Sequence, residues 1–155
     1  MDDRTFRNGM GKFATGITVL TTEIDGQVHG MTANAFMSVS LNPKLIVVSI
    51  DERAKMNQLI SSSGQFAVSV LSESQKQMSM YFAGQFAGNH DVDFISFNGM
   101  PVLENALLHL TCTVYNKHVA GDHTLFIGEV THLRTKEGTP LVYHEGKYKT
   151  TAELN

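Results

Sequence analysis

Apolar residues recur along this chain mostly at strand spacing, and stretches with helical spacing are short. Phe6, Met10 and Phe13 stand at i, i+4 and i+7, which predicts a helix over residues 3 to 13, weakened by Gly9 and Gly11, whose apolar face caps the core. Residues 17 to 24 are rich in β-branched side chains, Asp25-Gly26 is a hairpin turn signal, and residues 27 to 32 return antiparallel. The continuous apolar run over residues 45 to 50 predicts a central strand covered on both faces. Met56, Leu59 and Ile60 predict a helix ending at Gly64, followed by a strand over 66 to 71. Ser72 or Ser74 can cap a helix running to about Phe82. Gly84, Gly88, Asn89, Gly99 and Pro101 predict a long loop over residues 84 to 105.

Beyond that loop Leu108, Leu110, Cys112 and Val114 alternate with His109, Thr111, Thr113 and Tyr115, the mark of a half-buried strand. A further strand is expected over 124 to 133, and a short last one over 140 to 143. Six or more strands with a few short helices give a mainly β fold, an antiparallel barrel or curled sheet, and argue against βαβ architecture. No G-x-G-x-x-G follows a strand, and no phosphate-binding G-x-x-x-x-G-K-[ST] occurs.

The 155 residues fit one domain spanning 1–155. Charged residues make up 17%, where about a quarter is usual, so some surface is expected to lie against a partner. A net charge of −3 without clusters of Lys and Arg argues against nucleic acid as that partner. With one cysteine, an acidic N-terminus unlike a signal peptide and apolar runs too short to span a bilayer, a soluble cytoplasmic protein is expected, with no membrane partner. Cys112 points with the apolar set and reads as packing. The seven histidines show no metal spacing and no serine-triad motif occurs, so neither a metal site nor a catalytic side chain is assigned.

Two segments invite a chemical reading. Between Gly30 and Pro43, small and hydroxylated residues (Thr32, Asn34, Ser38, Ser40) stand where a strand normally carries bulk, which suits either a polar turn or a cradle for a flat ligand. Gly121-Asp122-His123 delivers a histidine to the start of an apolar strand, either as a rim residue or as a donor to a bound carboxamide or phosphate. Taken with Phe13-Ala14-Thr15-Gly16-Ile17-Thr18-Val19 and Gly146-Lys147-Tyr148, these segments stand in an order and spacing that resemble the short-chain flavin reductases serving two-component aromatic monooxygenases. The reductase components of phenol and 4-hydroxyphenylacetate hydroxylases are the nearest likeness, over nearly the full length.

That resemblance implies a split β-barrel that binds FAD (or FMN), works as a homodimer, takes hydride from NADH and passes reduced flavin to a separate oxygenase. It places Gly30, Met31, Thr32, Ala33 and Asn34 with Ser38, Val39 and Ser40 along the flavin ring and ribityl chain. Ser49, Ile50 and Asp51 with Ala54, Lys55 and Met56 would approach the phosphate, although Lys55 alone reads as an ordinary solvated lysine. Phe82, Ala83, Gly84 and Gln85 would close over the cofactor, and His123 and Tyr148 would border the nicotinamide. Hydride transfer by ring stacking then requires no catalytic side chain. Rival readings are a non-enzymatic flavin- or haem-binding module, or an FMN-dependent amine oxidase on a similar barrel, for whose phosphate-bearing substrate the chain's four arginines are few.

Overall fold

The computed structural model describes residues 1–88 and 90–155. Its main sheet begins with a hairpin, β2 (Thr18–Ile24) and β3 (Gln27–Ala33), following a two-residue β1 (Thr15–Gly16). β4 (Phe36–Leu41) and β5 (Lys44–Asp51) form the next hairpin, then come β6 (Gln65–Val70) and the long pair β9 (Leu108–Ala120) and β10 (His123–Thr135). Between β6 and β9 lie the small hairpin β7 (Phe94–Phe97) and β8 (Met100–Leu103), and β11 (Val142–His144) and β12 (Lys147–Lys149) end the chain. Three helices complete it: α1 (Asp3–Met10), α2 (Lys55–Ser63) and α3 (Lys76–Phe82), the last preceded by a 3₁₀ turn at Glu73–Gln75. No helix among the described residues is long and apolar enough to cross a membrane.

The seven-stranded sheet runs β3-β2-β6-β9-β10-β5-β4, antiparallel at every pairing. Its two outer strands, β3 and β4, are consecutive in the chain and joined by Asn34 and Ala35 alone. Two residues span at most about 10 Å across their three virtual bonds, so the edges must meet and the sheet must curl into a barrel. The Ser49 amide donates to the Ala35 carbonyl at 3.1 Å, which pins this link to β5. Inside the barrel Leu20, Ile46, Val48, Ile50, Phe66, Val68, Leu110, Cys112 and Phe126 pack together, and α2 adds Met56 and Ile60 from one face. A Cβ at Gly128 would stand 2.7 Å from the Phe66 ring and 3.1 Å from Cys112 Cβ, so glycine there makes room for the largest core side chains.

Four expectations need correction. The first helix stops at Met10 and buries no residue: Phe6, Met10 and Phe13 are 57%, 56% and 73% exposed, because the barrel core is complete without them. The run at 45–50 lies next to the sheet edge, with Ile46, Val48 and Ile50 buried but Leu45, Val47 and Ser49 only half-covered. It is β2 and β6 that are covered on both faces, since the β7–β8 hairpin lies over their outer side, with Thr21 Oγ1 donating to the Pro101 carbonyl. That hairpin occupies the expected loop; Asn98 and Gly99 adopt the positive φ (48° and 78°) that a tight turn requires, and Asn89 lies outside the described residues. Finally, the expected last strand is a hairpin, β11–β12, turning at Glu145-Gly146 and pairing with β1.

His109 fastens the β7–β8 hairpin. Its Nε2 donates to the Leu103 carbonyl at 2.7 Å while Nδ1 accepts from Arg134 Nη2 at 3.1 Å, so both nitrogens are committed to the neutral form. Burial pushes this imidazole below its ordinary value, and Arg134 and Lys136 act in the same direction. Because the folded pKa is depressed, the stability it gives is complete above the unfolded value of about 6.5 and declines as pH falls below it. α3 docks on β3 through matched faces: Phe82 lies over Gly30, where a Cβ would meet the ring at 2.5 Å, and the Thr32 hydroxyl donates to the Ser79 carbonyl at 2.6 Å.

Two outcomes follow. Urea unfolding from pH 8 to pH 5 is expected to show falling stability below about pH 6.5, with a shallower fall in His109→Gln, whose amide keeps a donor and an acceptor but does not titrate; equal slopes would refute the assignment. Gly30→Ala should destabilise by about 1–3 kcal/mol through overpacking, and much of that loss should return in Gly30→Ala/Phe82→Leu, measured by the same unfolding curves.

Candidate functional site

The barrel rim collects many of the polar residues singled out from the sequence. β5 ends at Asp51, in register with His123 at the start of β10, and the Asn34-Ala35 link crosses beside Ser49. Arg53 folds back on Asp51, its amide and Nε donating to Oδ1 at 2.8 and 3.1 Å and Nη2 to Oδ2 at 2.8 Å. These bonds hold the Asp51 carboxyl far below the ordinary carboxylate range. His123 Nδ1 donates to Asp122 Oδ1 at 2.7 Å, which lowers the Asp122 carboxyl and leaves the imidazole Nε2 for another partner.

α2 starts immediately beyond. Its N-cap, Ala54, offers no side-chain oxygen, and the first turn holds no acid. The amides that begin a helix lack intrahelical acceptors and carry partial positive charge, so this end, with exposed Lys55 beside it, is suited to an anion such as a flavin phosphate. Ile50 and Met56 turn their side chains into the core (1% and 3% exposed), so they can offer a ligand only backbone. Met31 and the buried Ala33 likewise pack on the barrel interior.

A second group lies on the other side of β3. The flat partner that Gly30 admits within this chain is the Phe82 ring, and the Thr32 hydroxyl proton is spent on Ser79. Ser79 is fully buried, and its own hydroxyl lies 3.0 Å from the Tyr148 phenol. Tyr148 is edge-on to Tyr143, with the Lys76 ammonium 5.6 Å from its ring centre, and it lines an open groove of about 580 Å³ with Glu73, Lys76, Leu141 and Lys149. Ala83, Gly84 and Gln85 follow α3 as an exposed turn, Gly84 at φ 74°.

Of the residues expected to share a site, 34, 49–51, 54–56 and 123 therefore gather at the rim, while 30, 32, 82 and 148 gather around α3, with β3 connecting the two. Ser38, Val39 and Ser40 stand apart: Ser38 and Ser40 pair with Ile46 and Leu45, about 17 Å along β5 from Asp51, and Ser38 and Val39 are exposed. Sequence reasoning missed Ser79, whose helical position gives no hint of the two strands it bonds, and Arg53, whose i,i−2 bond to Asp51 is an ordinary turn contact until β5 and β10 set it at the rim. Cys112 is remote in the core, its thiol pushed up to about 12 by burial, and is not a nucleophile here.

Residues 10–152 match the family model described as flavin reductase like domain. An NADH-dependent flavin reductase from a Rhodococcus species is 46% identical over 147 residues, covering 93% of this chain and 84% of its own. Among solved structures, flavin reductase PheA2 in its native state superposes with a TM-score of 0.97 at 58% identity, covering 99% of this chain and 100% of the other. The styrene monooxygenase flavin reductase of Pseudomonas putida S12 gives 0.91 at 37%, covering 97% and 99%. With a barrel of this topology and a family match over nearly its whole length, the chain belongs to the flavin reductase-like domain family.

Proposed function

We propose that this protein is an NADH-dependent flavin reductase that supplies reduced flavin, FAD first and FMN as the alternative, to a separate aromatic monooxygenase. The observation that carries the reading is the uncapped start of α2, set beside Lys55, the β5 end and His123 at one rim of the barrel. A flavin bound there would supply the electron-accepting ring, taking up hydride from NADH and one solvent proton, with NAD⁺ as the other product. The chain's work is to bind and orient. The α2 amides and Lys55 would hold the phosphate, the backbone of 30–34 and 49–51 would lie along the ring and ribityl chain, and residues 82–85 would cover it, Phe82 through its backbone because its ring is packed over Gly30. His123, oriented by Asp122, and Tyr148 would border the nicotinamide, one from the rim and the other from the α3 side of β3. The absence of a general base or nucleophile from this scheme agrees with the chemistry, since ring stacking delivers the hydride.

The working unit in this reading is a homodimer. Phe6 and Met10 on α1, Phe13 just after it, and Met37, Val39 and Leu41 on β4 are all between 46% and 88% exposed, an apolar load unusual for a monomer with so few charges. A second copy covering β4 also brings Ser38 to Ser40 into a shared site wall, which accounts for their distance from the rim within one chain.

Purified protein should oxidise NADH in the presence of FAD, FMN or riboflavin; failure to bind flavin and to speed this reaction would refute the proposal. His123→Ala should raise KM for NADH about tenfold or more while changing flavin affinity less than twofold, as expected for loss of a hydrogen bond to one substrate only. Sedimentation should give a dimer, and Met37→Glu/Leu41→Glu should shift it toward monomer; a wild-type monomer would contradict the shared-wall reading.

A further inference from the structure

Besides accepting the Ala83 amide at the end of α3 at 3.0 Å, Ser79 makes two contacts that the helix itself does not need. Its carbonyl accepts from Thr32 on β3 at 2.6 Å, and its hydroxyl meets the Tyr148 phenol on β12 at 3.0 Å. The residue is fully buried, so no water can replace the hydroxyl, and among the described residues Tyr148 has no other side-chain hydrogen-bond partner. The remaining contacts of Tyr148 are softer: the Tyr143 ring edge at 5.6 Å, the Lys76 ammonium at 5.6 Å and the apolar cluster of Ile17, Leu71 and Leu141. They confine the ring but leave its depth and tilt to the one directional bond. Phe82, one turn after Ser79, is locked over Gly30, so α3 cannot slide along β3.

We infer that Ser79 is a positioning residue for the reductase reaction, fixing the Tyr148 phenol in the groove wall relative to the Thr32 stretch of β3, so that the nicotinamide border and the flavin wall keep one spacing. The inference rests on the placement of Tyr148 beside the nicotinamide proposed above. Hydride transfer by stacking depends steeply on ring separation, and displacement of about 1 Å can cost up to a hundredfold in rate. Tyr148 lies on a three-residue strand of the β11–β12 hairpin, which pairs outward only with the two-residue β1, so the bond to Ser79 on the helix is what fixes its hydroxyl.

The test is a double-mutant cycle on the flavin-loaded protein, with hydride transfer followed by stopped flow. Ser79→Ala and Tyr148→Phe should each slow flavin reduction by NADH about five- to tenfold, leave flavin affinity within twofold, and show no further loss when combined. A purely structural role for Ser79 would instead weaken flavin binding and NADH use together. Normal transfer in Ser79→Ala with impaired transfer in Tyr148→Phe overturns the positioning role and leaves Tyr148 at the site. Normal transfer in Tyr148→Phe removes Tyr148 from the nicotinamide border, and the inference with it. The link itself is read independently by ¹⁹F spectra of protein labelled with 3-fluorotyrosine: the Tyr148 resonance should shift in Ser79→Ala, and an unmoved resonance refutes the contact.

Discussion

The Asn34-Ala35 link is the constraint on which the rest of this molecule depends. It joins the two outer strands of a seven-stranded sheet with so little chain that the sheet has to close, and the Ser49 amide bonded to the Ala35 carbonyl marks where it does. Closure gives the core an inside and orders the rim. Because β3 ends there and β4 begins, backbone is exposed at a bend beside the end of β5 and the start of β10, and α2 starts four residues after β5 ends. A site formed from backbone groups and a helix start suits a ligand with a flat polar ring and a phosphate.

Outside the barrel, the same strand β3 is gripped from its other side. Gly30 and Thr32 share one face of the strand, Phe82 and Ser79 share one face of α3, and the two pairs interlock as ring over glycine and hydroxyl to carbonyl. The helix then carries the C-terminal hairpin through Ser79 and Tyr148. The Phe13–Val19 and Gly146–Tyr148 motifs are linked in the same way, since β1 pairs with β11 and β11 with β12. Motifs distant in sequence thus belong to one layer stacked against the barrel, and His109 clamps the neighbouring β7–β8 hairpin onto that side.

Much of the barrel was legible in the sequence because its signals are local. The Asp25-Gly26 hairpin, the alternation of Leu108 to Val114 and the Gly64 helix stop each reflect the geometry of a few residues. The β7–β8 hairpin carried an equally local signal in Asn98-Gly99, obscured by the surrounding glycines and Pro101, which as an aggregate suggest a loop. Less legible was anything that depends on what covers a face. The apolar stripe of Phe6, Met10 and Phe13 says that the face needs a cover, not that the cover comes from this chain, and the run at 45–50 does not reveal that its second face is only half-covered. The small residues of 30–34 admit a flat group, and one such group is the protein's own Phe82; the role of Ser79 depends on β3, α3 and β12 together and has no local sequence signal.

The proposed flavin seat at the bend between β3 and β4, with the start of α2, is tested most directly by a crystal structure of the protein with FAD bound. The expected result is an isoalloxazine lying along the backbone of residues 30–35 with the phosphate at the Lys55 and Met56 amides. A flavin bound elsewhere on the barrel, or a phosphate remote from α2, would contradict it.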